Sequence, residues 1–141
     1  MEKENEEVWQ IELTKEQLHL IADAVEFTSR FACGQIGDSF LPNQIRGLLW
    51  KKQDVNKIRL FNSLGGILKH CIHDDLEPGS HGNHGVGKMV YADNLYDIYK
   101  MIHHKIKIEE DKNIPKEDRS WNVSSSFTKF GNLNDIKINK K

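Results

Sequence analysis

The chain has 141 residues, 38% hydrophobic and 29% charged, with 20 Lys+Arg against 21 Asp+Glu and a formal net charge of −1. That length suits one domain with one core, and the balanced charge supplies no field to draw the protein onto nucleic acid or an anionic membrane. No apolar run approaches the roughly 18–20 residues of a membrane helix, the acidic start is unlike a signal peptide, and Cys33 and Cys71 make neither a disulfide framework nor a C-x-x-C motif.

The expectation is therefore a single domain over residues 1–141, with 1–7 and 132–141 as flexible tails, in a reducing cytoplasm. Val8 to Leu13 alternates, with Trp9, Ile11 and Leu13 on one face, which predicts a half-buried strand. Thr14-Lys15-Glu16-Gln17 is a capping-box signature. A helix should follow, carrying Leu18, Ile21, Ala22, Val25, Ser29 and Ala32 at steps of three and four and ending at Gly34 or Gly37. Residues 38–53 hold Pro42 and the apolar anchors Ile45, Leu48, Leu49 and Trp50 without a pattern that selects an element. Asp54 caps a second predicted helix running to about Ile72, with Gly65-Gly66 weakening its middle. A third helix is expected from near Asp93, with Leu95, Ile98, Ile102 and Ile106 on its buried face. Beyond a connector at Pro115, the stretch Trp121 to Phe127 alternates again.

Two such strands, one near each terminus, are natural partners. The expected fold class is α+β: a small antiparallel sheet from the N- and C-terminal strands, packed with about three helices. Its edges would be completed by homo-oligomerisation, as a dimer or a dimer-based assembly.

Between the second and third helices lies E77-P-G-S-H-G-N-H-G-V-G-K88. Gly79, Gly82, Gly85 and Gly87 would let successive backbone N–H groups approach an anion, and a helix N-terminus beyond would add its positive end. Gly87-Lys88 is followed by Met89 rather than the Ser or Thr of a Walker loop, and no G-x-G-x-x-G is present. The loop thus reads either as an anion cradle or as a mobile connector.

The histidines offer a competing chemistry: His70 and His73 on the second helix, His81 and His84 in the loop, His103 and His104 on the third helix. With Asp74 and Asp97, His70 and His73 could hold a metal whose bound water attacks a phosphate; ordinary surface histidines are the plainer account. Tyr96, Lys100, His103 and Lys107 follow at steps of four, three and four. That face suits a stacked base and its phosphates, or is simply a solvated charged face. Arg30 either pairs with Glu26 at i, i+4 or grips an anion bidentately, and Gln35 could read a base or ribose edge.

Three segments in this order, S29-R-F-A-C-G-Q-I-G37, G79-S-H-G-N-H-G-V-G87 and L95-Y-D-I-Y-K-M-I-H-H104, together resemble a family of small phage and prophage proteins. Its members carry an S-R-x-x-x-G-Q helix end, a G-P-N-A-S-Y-G-I-G-like loop and a helix reading Y-D-[IL]-x-x-[VI]-[IM]-R-H. It is the first-described family of Thoeris anti-defence proteins, phage sponges for cyclic ADP-ribose signals. The similarity, with its connecting helices, covers roughly residues 8–106.

The resemblance implies an α+β oligomer in the cytoplasm of an infected bacterial host. Such a sponge binds a TIR-made cyclic ADP-ribose isomer without cleaving it, and some members also hold cyclic oligonucleotides at a separate site. It implies no catalytic residue, metal or cofactor, and neither nucleic acid nor membrane as partner. By position, Arg30 and Gln35 match the helix-end motif, Gly79, His81, Asn83, His84 and Gly85 fall in the loop, and Tyr96, Lys100, His103 and His104 fall on the helix. Two departures stand out: the loop's Asn-Ala-Ser-Tyr becomes His81-Gly82-Asn83-His84, and the helix's Arg-His becomes His103-His104. The rival expectation is a metal-dependent phosphohydrolase acting on a nucleotide through His70, His73, Asp74 and Asp97.

Overall fold

The computed structural model describes residues 7–85, 87–115 and 129–140. Within them the regular elements are α1 (Lys15–Ala32), α2 (Asn43–Trp50), α3 (Val55–Ile72) and α4 (Val90–Asp111), with a 3-10 turn at Asp38–Phe40. The expected α+β sheet is therefore corrected: among the described residues the fold is all-helical. Val8 to Leu13 has the alternation of a strand but no ladder, and Val8, Trp9 and Ile11 stand 88%, 82% and 72% exposed. Alternation arranges side chains; only a neighbouring strand satisfies the backbone. The intended partner, Trp121 to Phe127, lies outside the described residues.

The start of α1 forms as its sequence dictates. Thr14 Oγ1 accepts from the Gln17 amide at 3.1 Å while the Gln17 side chain accepts from the Thr14 amide at 2.8 Å, completing the capping box. Its end is a Schellman turn. Gly34 adopts φ +81°, its N–H donates to Phe31 O at 3.0 Å, and the Gln35 N–H donates to Arg30 O at 2.9 Å. This turn throws Gln35 back beside Arg30.

α1 and α4 pack along their lengths and run antiparallel: Lys15 pairs with Glu110 at one end, and at the other Ser29 Oγ donates to Ala92 O at 2.7 Å. Ala22, Ile102 and Ile106 form the core of this pair, with Leu18, Ile21, Ile98, Tyr99 and Ile138 packed around them. Residues 129–140, most of which the sequence reads as a tail, lie along α4. Asp97, 1% exposed, accepts from the amides of Phe130 at 2.9 Å and Gly131 at 2.7 Å, and pairs with Lys100 at 3.0 Å. Burial alone would raise the Asp97 carboxyl, but those two amides and the ammonium outweigh it and hold its pKa below the ordinary value.

α3 begins at Asp54, which caps it by accepting from the amides of Asn56 and Lys57. Its two central glycines serve close approach rather than flexibility. A Cβ on Gly65 would lie 2.7 Å from Ile36 O, and one on Gly66 would lie 2.3 Å from Pro78 O. The turn after α1 and the start of the glycine-rich loop thus lie directly on the α3 backbone. On the outward side, Leu60, Leu64, Ile67 and Leu68 of α3 and Ile45 and Leu48 of α2 are exposed. Among the described residues no helix is long and apolar enough to cross a membrane.

Candidate functional site

The loop is anchored by a residue that sequence reading passed over. Lys69, 5% exposed, directs its ammonium to the carbonyl oxygen of Ser80, to Ser80 Oγ at 3.2 Å and to Gly82 O at 3.2 Å. A buried ammonium needs such oxygens to replace water. The loop backbone supplies them, which ties Ser80 and Gly82 to α3. Ile58, Gly65 and Lys69 share the buried side of α3, a clue that a lysine at this spacing does not face solvent. His70 Nδ1 lies 3.1 Å from Leu76 O and adds a further tie.

From the α1 side, Arg30 forms the ion pair that its spacing predicts, with Nε 2.9 Å and Nη2 2.8 Å from Glu26 Oε1. Its remaining nitrogen, Nη1, donates to Gln35 Oε1 at 2.8 Å, and Gln35 Nε2 donates to Asn83 Oδ1 at 3.2 Å. One guanidinium therefore connects the end of α1 to the middle of the loop. Arg30, Gln35 and Asn83, singled out separately in the sequence, form one hydrogen-bonded chain.

Arg30 also lines a cleft of about 310 Å³, together with Asp23, Glu26, Phe27, Phe40, Asn43 and Arg46 among others. Phe40 and Arg46 come from the stretch for which no element was assigned. That stretch folds as the 3-10 turn and α2, with Pro42 at the N-cap where its missing N–H costs nothing. The Arg30 guanidinium carbon stands 6.0 Å from the Phe40 ring centroid. The apolar steps Ile45, Leu48 and Leu49 were the available signal for α2.

The other expected residues divide into further groups. Gly79, His81 and Gly85 are exposed, and a Cβ on Gly79 or Gly85 would meet nothing within 4 Å. The expected nest of outward loop amides is only partly available. Ser80 N–H donates to Glu77 O at 3.0 Å, His84 N–H to Cys33 O at 2.8 Å and Gly87 N–H to Asp93 Oδ1 at 2.8 Å. On α4, Tyr96 and Lys100 form a cluster with Asp97 and Phe130, the ammonium 5.2 Å from the Tyr96 centroid and 4.5 Å from that of Phe130. His103 packs edge-on to Tyr99 at 4.7 Å and to His19 at 5.9 Å. His104 lines a shallow groove of about 320 Å³ beside Asp135 to Asn139.

The metal quartet proposed for hydrolysis does not assemble. Asp97 serves the amides of residues 130 and 131, His70 faces Leu76 O, and Asp74 is exposed. A different trio lies together: His73 and His84 stack with ring centroids 4.3 Å apart, and His84 Nε2 is 3.1 Å from Asp75 Oδ1. The hydrogen bond with His84 is the main cause that lowers the Asp75 pKa. Comparisons with protein-family models, with curated proteins and with solved structures return no match.

Proposed function

We propose that this chain binds and sequesters a cyclic ADP-ribose-type nucleotide signal without cleaving it, acting as a phage anti-defence protein that blocks Thoeris immunity in the cytoplasm of the infected bacterial host. The family resemblance motivates the reading. The single observation that carries it is the Arg30–Gln35–Asn83 chain, which joins the motif at the end of α1 to the glycine-rich loop. Two of the three resembling segments thereby act on one guanidinium that also opens onto a cleft.

The chemistry of that cleft suits such a ligand. Arg30 and Arg46 offer two guanidiniums for a pyrophosphate, Phe27 and Phe40 offer rings for adenine, and Asp23 is an acceptor for ribose hydroxyls. At about 310 Å³ the cleft stands at the small end of ligand sites. A second copy of the chain, docked through the exposed apolar row of α2 and α3, would enlarge and close it. That row also favours the homo-oligomer, because contiguous apolar surface of this kind marks association. A sponge must hold its signal at nanomolar concentration, about −12 kcal/mol.

The test is calorimetric titration of the full chain with cyclic ADP-ribose isomers, followed by chromatography of what heat-denatured protein releases. Tight binding with intact ligand recovered is expected. Absence of heat at micromolar protein, or recovery of fragments, overturns the proposal.

A further inference from the structure

We propose that His73, Asp75 and His84 form a binding site for one divalent transition-metal ion of the zinc class, which staples the glycine-rich loop to the end of α3. The site owes nothing to the nucleotide reading, and the resemblance implies no metal. One potential ligand atom from each of the three side chains lies within 4.8 Å of the others. Around a tetrahedral zinc, donors at roughly 2.1 Å from the metal stand about 3.4 Å from one another. His84 Nε2 and the Asp75 carboxylate, 3.1 Å apart, stand close to that spacing, and zinc would replace the proton that Nε2 now donates to the carboxylate. The third group, His73, offers a nitrogen within 4.8 Å of both, and binding would turn the stacked His73 and His84 rings apart so that their in-plane lone pairs reach one ion.

The tautomer of His73 supplies the second observation. Its Nε2 lies 2.6 Å from Ala32 O, a carbonyl that can only accept, so Nε2 carries the proton and the lone pair belongs to Nδ1. Donation of the distal N–H to a backbone carbonyl is the outer-shell arrangement that orients metal-bound imidazoles and raises their basicity. The carbonyls of Ala32 and Cys33, which receive His73 Nε2–H and the His84 amide, form the negative end of α1, where a cation is favoured. Two imidazoles and one carboxylate match the nitrogen and oxygen preference of zinc and leave a fourth position for water. His73 is buried, His84 half-buried and Asp75 exposed, which gives an ion a path from solvent.

Zinc titration of the full chain in the presence of a competing chelator tests this, using the parent, His84→Gln, Asp75→Asn and a His103→Gln/His104→Gln double variant. The expected result is one equivalent bound by the parent, with affinity reduced about tenfold or more in His84→Gln and in Asp75→Asn and unchanged in the double variant. Zinc should also raise the melting temperature of the parent. His84 and Asp75 are outside the core, so the metal-free variants are expected to melt with the parent, and two independent variants guard against one that misfolds. No uptake at micromolar protein, equal uptake by His84→Gln, or loss of uptake only in the double variant overturns the site.

Discussion

Replacing Gly66 by alanine sets two effects of opposite sign against each other. In a helix interior alanine is favoured over glycine by about 1 kcal/mol, so helix propensity alone predicts a more stable protein. The added Cβ, however, would lie 2.3 Å from Pro78 O. To reach an ordinary carbon–oxygen separation the loop would have to withdraw by about 1 Å. Pro78 stands just before Ser80, which with Gly82 supplies the oxygens around the Lys69 ammonium. A hydrogen bond to a charged group contributes about 1.5–3 kcal/mol, and leaving the buried charge short of a partner adds its desolvation cost. The steric effect wins: Gly66→Ala should destabilise the protein by about 1–3 kcal/mol, lowering Tm by several degrees. Gly47→Ala is the internal control. Its position in α2 is exposed and a Cβ meets nothing within 4 Å, so it should gain up to about 1 kcal/mol. Urea and thermal unfolding of both variants measure the difference. If Gly66→Ala is as stable as Gly47→Ala, the loop is not seated on α3 and the reasoning fails.

Asp97 sets an acid limit. Its folded pKa lies below the unfolded value near 3.9. Its stabilisation is therefore complete above the unfolded pKa and is lost as pH falls through the folded one. Asp97→Asn should cost about 2–4 kcal/mol at neutral pH and flatten the acid side of the stability profile, which denaturant unfolding between pH 7 and pH 2 will show. Arg30→Lys replaces a fork that serves Glu26 and Gln35 together with a single point charge. Affinity for a cyclic ADP-ribose isomer should drop about tenfold or more in calorimetry while Tm changes little; equal affinity would remove Arg30 from the site. Burial, then Asp93, push the Cys33 thiol pKa up against an opposing Arg30, whereas Cys71 is exposed. A thiol reagent should label one cysteine rapidly in the native protein, and mass spectrometry should place it at Cys71.

Local rules read well where the structure is local. The capping box at Thr14, the glycine at Gly34 and the Asp54 cap each define an end by hydrogen bonds a few residues apart, and α1 and α3 follow the sequence closely. α4 begins at Val90, slightly before the expected Asp93. The strand at Val8 to Leu13 failed because pairing is a property of two segments, and one segment's alternation contains no information about its neighbour. α2 was missed because Pro42 looks like an interruption and the helix that follows it is only eight residues long. At the site, Arg30, Gln35 and Asn83 were each legible as polar groups near glycines. Their union depends on the Schellman turn that returns Gln35 toward Arg30, a three-dimensional consequence of Gly34. Gly65-Gly66 looked like a defect of helix propensity, because nothing in the sequence says that another backbone will lie against it. Lys69 was overlooked for the same reason: its partners are carbonyl oxygens, and these carry no sequence signature.

Gathering Ser80 and Gly82 around one ammonium also determines how this region comes apart. Release of any one oxygen leaves the same buried charge undersolvated, so the contacts are expected to open together. Slow proton–deuterium replacement should then report a shared opening event for residues 80–84 and the last turn of α3, with one free energy rather than a gradient along the chain.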